Sequence, residues 1–256
     1  MGKPSKLDKI EAQEIHKPAR RNYTRRPVEV NGIDDVWCAD LVDMRQFAKQ
    51  NKGYNYILTV IDVLSRYAWA IPLKNKKAGT VLDAMTKIIT ESDRHPKKLW
   101  IDKGAEFLND EFQSNFHNTY HTYSPFHAAP VERFNRTLKT IMWYKFTKHD
   151  TKNWVDRLDK LLRKYNNRVH SSIHMTPKKA SDPSNAAYLL DLQDKKVDKI
   201  KTTKPKFKVN DIVRISKQKG TFDKGYTANW SFDLFKIVEV LPMCLDEFER
   251  EFQPLL

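Results

Sequence analysis

The sequence predicts an α/β fold in which helices flank a mixed β-sheet, followed by a small β-barrel. Three observations support this prediction: strand-like segments dominate residues 37–73, helical periodicity follows over residues 79–92, and short strand-like segments return after residue 205. Hydrophobic residues make up 40% of the 256-residue chain, so a packed core is expected and full-length disorder is excluded.

The order of the predicted elements determines the expected topology. In chain order they are strands 37–43, 54–63 and 66–73, helix 79–92, strand 98–102, helix 109–118, strand 121–124, and two helices that begin near Pro130 and Trp154. Short breaks between the first three strands predict antiparallel hairpins. The first helix then returns the chain to a strand that lies parallel to the first strand. This order is typical of a ribonuclease-H-like fold.

Charge and composition divide the chain into four predicted regions. Residues 1–34 form a basic N-terminal arm, because residues 16–26 carry five Lys or Arg and no acidic residue. Residues 35–185 form the α/β core, and residues 186–204 form a Lys-rich linker. Residues 205–256 are short, basic and strand-rich, which favours an SH3-like β-barrel.

The net charge points to a polyanionic partner. Lys and Arg number 46 against 32 Asp and Glu, so the formal net charge is +14 and nucleic acid is the first candidate. The sequence contains no stretch of about 18 apolar residues, so no membrane span is predicted. It also has no apolar run near its start, so no secretion signal is predicted. The two Cys and the His residues show no ligand spacing, so no zinc site is expected. A basic chain that binds nucleic acid and has no secretion signal is expected in the nucleus.

Three acidic residues are candidates for a metal site. Asp40 lies in the first strand, Asp102 at the end of the fourth, and Glu132 in the first turn of the helix after Pro130. Adjacent strands bring the two aspartates to one edge of the sheet, where the helix adds the glutamate. Three such carboxylates repel one another unless a hard cation neutralises them, which favours Mg²⁺ or Mn²⁺. Two ions would hold the attacking and leaving oxygens of a phosphodiester displacement.

Each of these acids also has an ordinary structural interpretation. Asp102 can begin a turn with Lys103, and Glu132 can interact with the dipole at the helix start. Asp43 is a competing acid, but along a strand it faces away from Asp40. The catalytic interpretation is preferred because three acids occur in the right order on the right elements.

Three segments carry a resemblance to a known family: residues 37–43 (WCADLVD), 100–107 (WIDKGAEF) and 131–139 (VERFNRTLK). Together they resemble the catalytic core of retroviral-type integrases, closest to the integrases of Maverick/Polinton self-synthesising DNA transposons. The resemblance spans about residues 23–241, because the last strand-like segments resemble the C-terminal DNA-binding barrel of that group. The ERFNRTLK run is its most specific part.

The resemblance implies both an activity and a site. Asp40, Asp102 and Glu132 would be the acidic metal-binding triad for strand transfer of DNA 3′-hydroxyl ends into target DNA, by a homo-oligomer on double-stranded DNA. Asp102 and Glu132 are 30 residues apart, which is several fewer than the family usually has. The final barrel strand is also not recognisable, so the barrel is interpreted as truncated. A catalytically impaired, co-opted DNA-binding protein therefore remains an alternative.

Basic residues outside the triad form the predicted DNA surface. Arg136 and Lys139 follow Glu132 by four and seven residues, which places them on its helix face, where they could hold phosphates. The barrel contributes Lys204, Lys206, Lys208, Arg214, Lys217 and Lys219. A second alternative is a ribonuclease-H-type nuclease acting on RNA–DNA hybrids, with Glu91 as a fourth carboxylate.

Overall fold

A five-stranded mixed sheet forms the centre of the larger of two units, Val28–Lys195. The smaller unit combines Met1–Pro27 with Lys196–Leu256. The structure is a computed structural model, and it describes residues 6–19, 28–101, 107, 112, 114, 116, 119–121, 129–201, 207–217 and 227–240. Within these residues, no helix has the length and apolar character needed to cross a membrane.

The strands of the larger unit follow the order β3-β2-β1-β4-β5. In chain order they are β1 (Val36–Asp43), β2 (Tyr56–Asp62), β3 (Ala68–Leu73), β4 (Lys98–Ile101) and β5 (Thr119–His121). β1 pairs antiparallel with β2 and parallel with β4, while β3 pairs antiparallel with β2 and β5 parallel with β4. The predicted order, with three adjacent antiparallel strands and a parallel fourth beside the first, is confirmed.

The connection from β1 to β2 is longer than the predicted hairpin. It contains a 3₁₀ helix, Arg45–Asn51, whose last residue is buried. The Asn51 amide donates to the carbonyls of Phe47 and Lys152 at 2.7 and 2.9 Å. Its side-chain oxygen accepts from the backbone N–H of Trp154 at 2.7 Å. These long-range bonds explain why the local pattern predicted a simple turn and the fold contains a helical one.

Helices cover both faces of the sheet. The helix α2 (Ala78–Ser92) packs on one face through Val81, Ala84, Met85 and Ile88. On the other face, α3 (Ala129–His149) packs through Val131, Phe134, Leu138, Met142 and Phe146. Residues three and four apart lie on one side of a helix, so both apolar stripes face the sheet. Burying each large side chain contributes about 1.5–3 kcal/mol.

The segment predicted as a linker is mostly helical. After α4 (Leu158–Asn166) and α5 (Pro177–Ala180), the helix α6 extends over Ala186–Lys201. Leu189 is buried in the core, and the Gln193 amide exchanges two hydrogen bonds with the Val30 backbone at 3.2 and 2.9 Å. Residues 28–34 therefore belong with the core rather than with an arm. A linker was predicted here because the segment is rich in lysine, although lysine is a good helix former.

The smaller unit joins the two ends of the chain. It contains α1 (Lys6–His16), two short antiparallel strands, β6 (Ile212–Val213) and β7 (Phe235–Lys236), and an isolated bridge between Ser216 and Trp230. The Trp230 indole N–H donates to the Lys17 carbonyl at 2.7 Å. The N-terminal segment is thus partly a helix that packs on the C-terminal strands, which differs from the predicted arm. The strands β6 and β7 are shorter than the strands predicted at residues 207–216 and 230–241.

Candidate active site on the central strand

Asp40 lies on β1 and faces α3. The neighbouring side chains at Cys38 and Val42 are buried in the core that α3 covers, and side chains alternate along a strand. Asp40 is half-buried, and its Oδ1 accepts from the Leu41 N–H at 2.7 Å. Across the sheet it pairs with Thr59, whose hydroxyl donates to the Asp40 carbonyl at 3.1 Å. The strand thus presents a carboxylate to the helix above it.

Asn135 connects this carboxylate to α3. Its side-chain N–H donates to the Asp40 Oδ2 at 2.7 Å. The residue is only 7% exposed, and its own Oδ1 is buried without a hydrogen-bond partner in the described part of the chain. An ionised carboxylate accepts hydrogen bonds only, so the amide must turn its N–H₂ group toward Asp40. Asn135 was not among the predicted site residues, although it stands within the ERFNRTLK run.

Glu132 lies on the same side of α3 as Asn135. It precedes Asn135 by three residues, and residues three apart on a helix are neighbours on one face. Glu132 is exposed, in the first turn of the helix, where the helix dipole favours a negative charge. The first turn of α3, which carries Glu132, therefore lies on the face of the sheet toward which Asp40 points.

The third predicted acid, Asp102, lies outside the described residues. The last described residue of β4, Ile101, pairs with Ala39, the residue that precedes Asp40. Within the described ranges, no group of three or more His, Cys, Asp or Glu is placed to hold a metal ion. Asp40 and Glu132 supply carboxylate oxygens, the donors that Mg²⁺ and Mn²⁺ prefer, so these two donors fit such an ion.

The competing acids lie elsewhere. Asp43 is exposed and bonded to the Arg45 guanidinium, and these hydrogen bonds lower the pKa of Asp43. Glu91 is exposed on α2, the helix on the opposite face from Asp40, and pairs with Lys87 at 3.7 Å. The structure therefore does not bring Glu91 to the candidate site.

The predicted DNA-binding residues fall into three groups. Arg136 and Lys139 are exposed on α3, and Lys208 and Lys217 are exposed in the smaller unit. Lys204, Lys206 and Lys219 lie outside the described residues. Arg214 is engaged within its own unit, where it pairs with Glu11 and Glu14 of α1 at 3.3 and 3.5 Å and donates to two carbonyls. Its side chain is only 12% exposed, so its role there is structural.

Comparison with known proteins bears on the fold. Residues 31–124 match the integrase core domain family. The mixed sheet with helices on both faces is the ribonuclease-H-like fold of an integrase core domain. A chain of the simian T-cell lymphotropic virus intasome, solved in complex with PP2A regulatory subunit B56 gamma, has the same fold with a TM-score of 0.52. It is 19% identical, over 65% of this chain and 62% of that one.

Two further proteins are similar to this chain in sequence. An uncharacterized transposon-derived protein of Caenorhabditis elegans is 33% identical over 196 residues, 75% of this chain. The Gag-Pol polyprotein of feline leukemia virus is 29% identical over 133 residues, 49% of this chain. The chain spans 65% of the length of the worm protein and 8% of the length of the polyprotein.

Proposed function

We propose that this chain joins DNA 3′-hydroxyl ends to target DNA by metal-dependent strand transfer. The observation that carries the proposal is the Asn135–Asp40 hydrogen bond at 2.7 Å. It ties Asp40, which lies within the residues that match the integrase core domain family, to α3 one turn away from Glu132. Carboxylates on the central strand and on the helix beside it could hold the metal ions that a phosphodiester displacement uses.

The roles of the residues follow from their chemistry. Asp40, Asp102 and Glu132 would hold Mg²⁺ or Mn²⁺, as two ions, which when bound activate the nucleophile and stabilise the charge of the leaving oxygen. Asn135 would orient the Asp40 carboxylate. Arg136 and Lys139 would hold DNA phosphates beside the site. The joining step is a direct displacement, in which the 3′-hydroxyl attacks a target phosphorus and the 3′-oxygen of the target strand leaves.

The proposal extends to partners and surroundings. We propose double-stranded DNA as the substrate, a homo-oligomer on DNA as the working form, and the nucleus as the location. The solved structure with the same fold comes from an intasome, which supports assembly on DNA. We also propose an SH3-like DNA-binding barrel for the C-terminal region and an affinity to Maverick/Polinton integrases, on the strength of the segments noted in the sequence.

A second candidate is a DNA-binding protein that has lost catalysis. The 30-residue separation of Asp102 and Glu132 favours it, because that segment is shorter than usual in the resembling integrases. The nuclease alternative is disfavoured, because Glu91 lies on a helix that covers the other face of the sheet and is paired with Lys87.

A substrate panel tests the proposal. The purified chain is incubated with Mn²⁺ and blunt-ended duplex DNA, with an RNA–DNA hybrid, and with target plasmid, and the Asp102→Asn variant serves as the inactive control. We expect joined DNA products from the wild-type chain and none from Asp102→Asn. Folded protein that binds duplex DNA without nicking or joining it would support the second candidate. Cleavage of the hybrid alone would contradict the strand-transfer proposal.

A further inference from the structure

Three aromatic rings pack together at the C-terminal half of α3, and one of them reaches the surface. The centre of the Trp143 ring lies 5.7 Å from that of Phe47 and 5.3 Å from that of Phe146. The Phe47 and Phe146 ring centres are themselves 5.5 Å apart. Phe146 is buried and Phe47 is half-buried, whereas Trp143 is 40% exposed. The cluster therefore supports an indole ring that solvent can reach.

A buried amide fixes the support beneath Trp143. Asn51 is fully buried at the end of the 3₁₀ helix that carries Phe47, and its side-chain N–H₂ group donates to the carbonyls of Phe47 and Lys152. The Asn51 side-chain oxygen accepts from the backbone N–H of Trp154. The 3₁₀ helix is thus attached to the segment that follows α3. Trp143 therefore packs on a Phe47 ring whose backbone is held by hydrogen bonds.

The segments that form this cluster are positively charged. The Lys152 Nζ lies 5.4 Å from the centre of the Phe146 ring, the ring against which Trp143 packs. Over residues 43–52 and 139–152, Lys and Arg number seven and Asp and Glu number two. Two of the seven cations are engaged in ion pairs with aspartates. The others are Lys49, Lys139, Lys145, Lys148 and Lys152. A polyanion is the partner whose charge complements this surface.

Helix geometry connects Trp143 to the candidate active site. Four exposed residues of α3 follow one another at spacings of four, three and four: Glu132, Arg136, Lys139 and Trp143. Such spacing places them on one side of the helix. With a rise of about 1.5 Å per residue, Trp143 lies about 16 Å along α3 from Glu132, roughly the length of five nucleotides of one B-DNA strand. A strand whose phosphates contact Arg136 and Lys139 would therefore reach Trp143.

We propose that Trp143 is a stacking platform for an unpaired base of a DNA strand bound along α3. Exposed aromatic rings on a positively charged surface bind single-stranded nucleic acid, because bases stack on the rings while cations hold the phosphates. A base inside a duplex is covered on both faces by its neighbours, whereas an unpaired base has a free face for the Trp143 ring. The inference rests on DNA being the substrate, as in the proposed function, and adds that this DNA has an unpaired segment near the site.

Fluorescence anisotropy on the full chain tests this platform. The probes are two labelled DNA duplexes, one with blunt ends and one with an added single-stranded thymidine tail, titrated in EDTA over a range of salt concentrations. Trp143→Leu removes the ring and keeps an apolar contact with Phe47, while Trp143→Phe keeps a smaller ring. Tyr144→Leu is the matched control, because Tyr144 is 63% exposed and lies about 100° further round α3. Melting temperatures check that each variant is folded, and Trp143→Met is used if Trp143→Leu is not.

We expect Trp143→Leu to weaken binding of the tailed duplex by at least about fivefold, the effect of losing one stacked base, and to change binding of the blunt duplex little. Its slope of log affinity against log salt concentration should stay the same, because stacking releases no counterions. Lys139→Gln should instead make that slope less steep by about 0.7–0.9. Trp143→Phe should retain most of the affinity, and Tyr144→Leu should bind both probes as the wild type does.

Three outcomes would overturn the inference. Equal losses of affinity in Trp143→Leu and Tyr144→Leu would mean that the position of the ring does not matter. Equal losses on the tailed and blunt duplexes would mean that Trp143 contacts paired DNA. Unchanged DNA binding with a lower molecular mass of Trp143→Leu in light scattering would assign the ring to an interface between copies of this chain. The titrations in EDTA need no joining activity, so a chain that joins no DNA and still shows the tail-specific loss would retain the platform while the proposed function fails.

Discussion

A single amide joins the two halves of the candidate site. Asn135 is buried among the apolar residues of α3, yet it donates one N–H to Asp40 at 2.7 Å and leaves its oxygen without a partner in the described part of the chain. A hydrogen bond to an ionised group contributes about 1.5–3 kcal/mol, and an unpaired buried acceptor costs about 1–3 kcal/mol. The two effects nearly cancel in stability. The residue is therefore better explained by orientation of the Asp40 carboxylate than by folding.

Asn135→Ala should separate these two roles. We expect the rate of DNA joining to fall by roughly 10–100-fold, as is typical when a partner that orients a metal ligand is removed. The free energy of unfolding should change little, because removal of the hydrogen bond and removal of the unpaired oxygen offset each other. Thr140→Ala, an exposed change on the same helix, is the control. A joining rate equal to that of the control would show that Asn135 does not position Asp40.

At the scale of elements, one arginine holds three segments together at the end of β2. Arg94, in the loop between α2 and β4, pairs with Asp34 before β1 and lies 3.4 Å from the fully buried Asp62. Its guanidinium also lies 4.9 Å from the centre of the Trp69 ring and 5.5 Å from that of Tyr67. Burial raises the pKa of Asp62, while the Ser65 hydrogen bond and the Arg94 charge oppose the rise. The positive charge of Arg94 thus compensates the negative charge of the buried Asp62 carboxylate.

Arg94→Leu should destabilise the fold in a pH-dependent way. Leaving a buried charge without its partner costs about 3–5 kcal/mol, and we expect the lower end because Ser65 still donates to Asp62. The raised pKa of Asp62 means that the folded state binds a proton more readily than the unfolded state. Protonation therefore favours folding, and the deficit should shrink as the pH falls from about 7 toward about 5. Urea unfolding of the wild type and of Arg94→Leu at the two pH values gives the difference in their free energies of unfolding.

The control for Arg94→Leu is an exposed ion pair. Lys52 and Asp156 pair with side chains 67% and 47% exposed. Lys52→Leu should change the free energy of unfolding little at either pH, because solvent screens such a pair. A deficit in Arg94→Leu that stays constant between the two pH values would contradict the assignment of the effect to Asp62.

For the whole molecule, we expect both units to take part in DNA binding. The larger unit has its own core and carries the candidate site, while the smaller unit exposes Lys208 and Lys217. Arg214 pairs with Glu11 and Glu14 and secures α1 to the C-terminal strands. The net charge of +14 would therefore act on DNA through residues of both units rather than through one basic domain.

Removal of residues 196–256 should weaken DNA binding without unfolding the larger unit. Fewer phosphates would be neutralised, so the affinity for DNA should fall. The slope of log affinity against log salt concentration should become less steep by about 0.9 for each phosphate that is no longer bound. Far-UV circular dichroism checks that the remaining chain is folded, and anisotropy titrations over a range of salt give the slope. An unchanged slope would show that the removed residues do not contact DNA phosphates.

Much of the fold was predictable because it depends on local pattern. Alternation in β1 to β3 and the apolar stripes of α2 and α3 follow from the two periods of strand and helix. The 3₁₀ helix Arg45–Asn51 and the helix α6 were not predicted, because Asn51 and Gln193 act through partners distant in the chain. A Lys-rich segment has no strong apolar stripe, so only its packing on the core shows that it is a helix.

Two acids of the candidate site, Asp40 and Glu132, were proposed from the sequence, whereas the amide that bonds to Asp40 was not. Asp40 and Glu132 stand out because charges on a buried strand and at a helix start need a reason. Asn135 does not stand out, since a polar residue in a helix normally faces solvent. Its importance comes from its burial and from its hydrogen bond to Asp40, which only the folded chain displays.

The most direct test of the proposed site compares two aspartates on one strand. Joining of blunt duplex ends to target DNA is measured with Mn²⁺ for the wild-type chain, Asp40→Asn and Asp43→Asn. Asp40 faces α3 and Asn135, whereas Asp43 is exposed and paired with Arg45. We expect Asp40→Asn to abolish joining while remaining folded, and Asp43→Asn to join at nearly the wild-type rate. Joining that survives in Asp40→Asn, or depends on Asp43 instead, would contradict the proposed site.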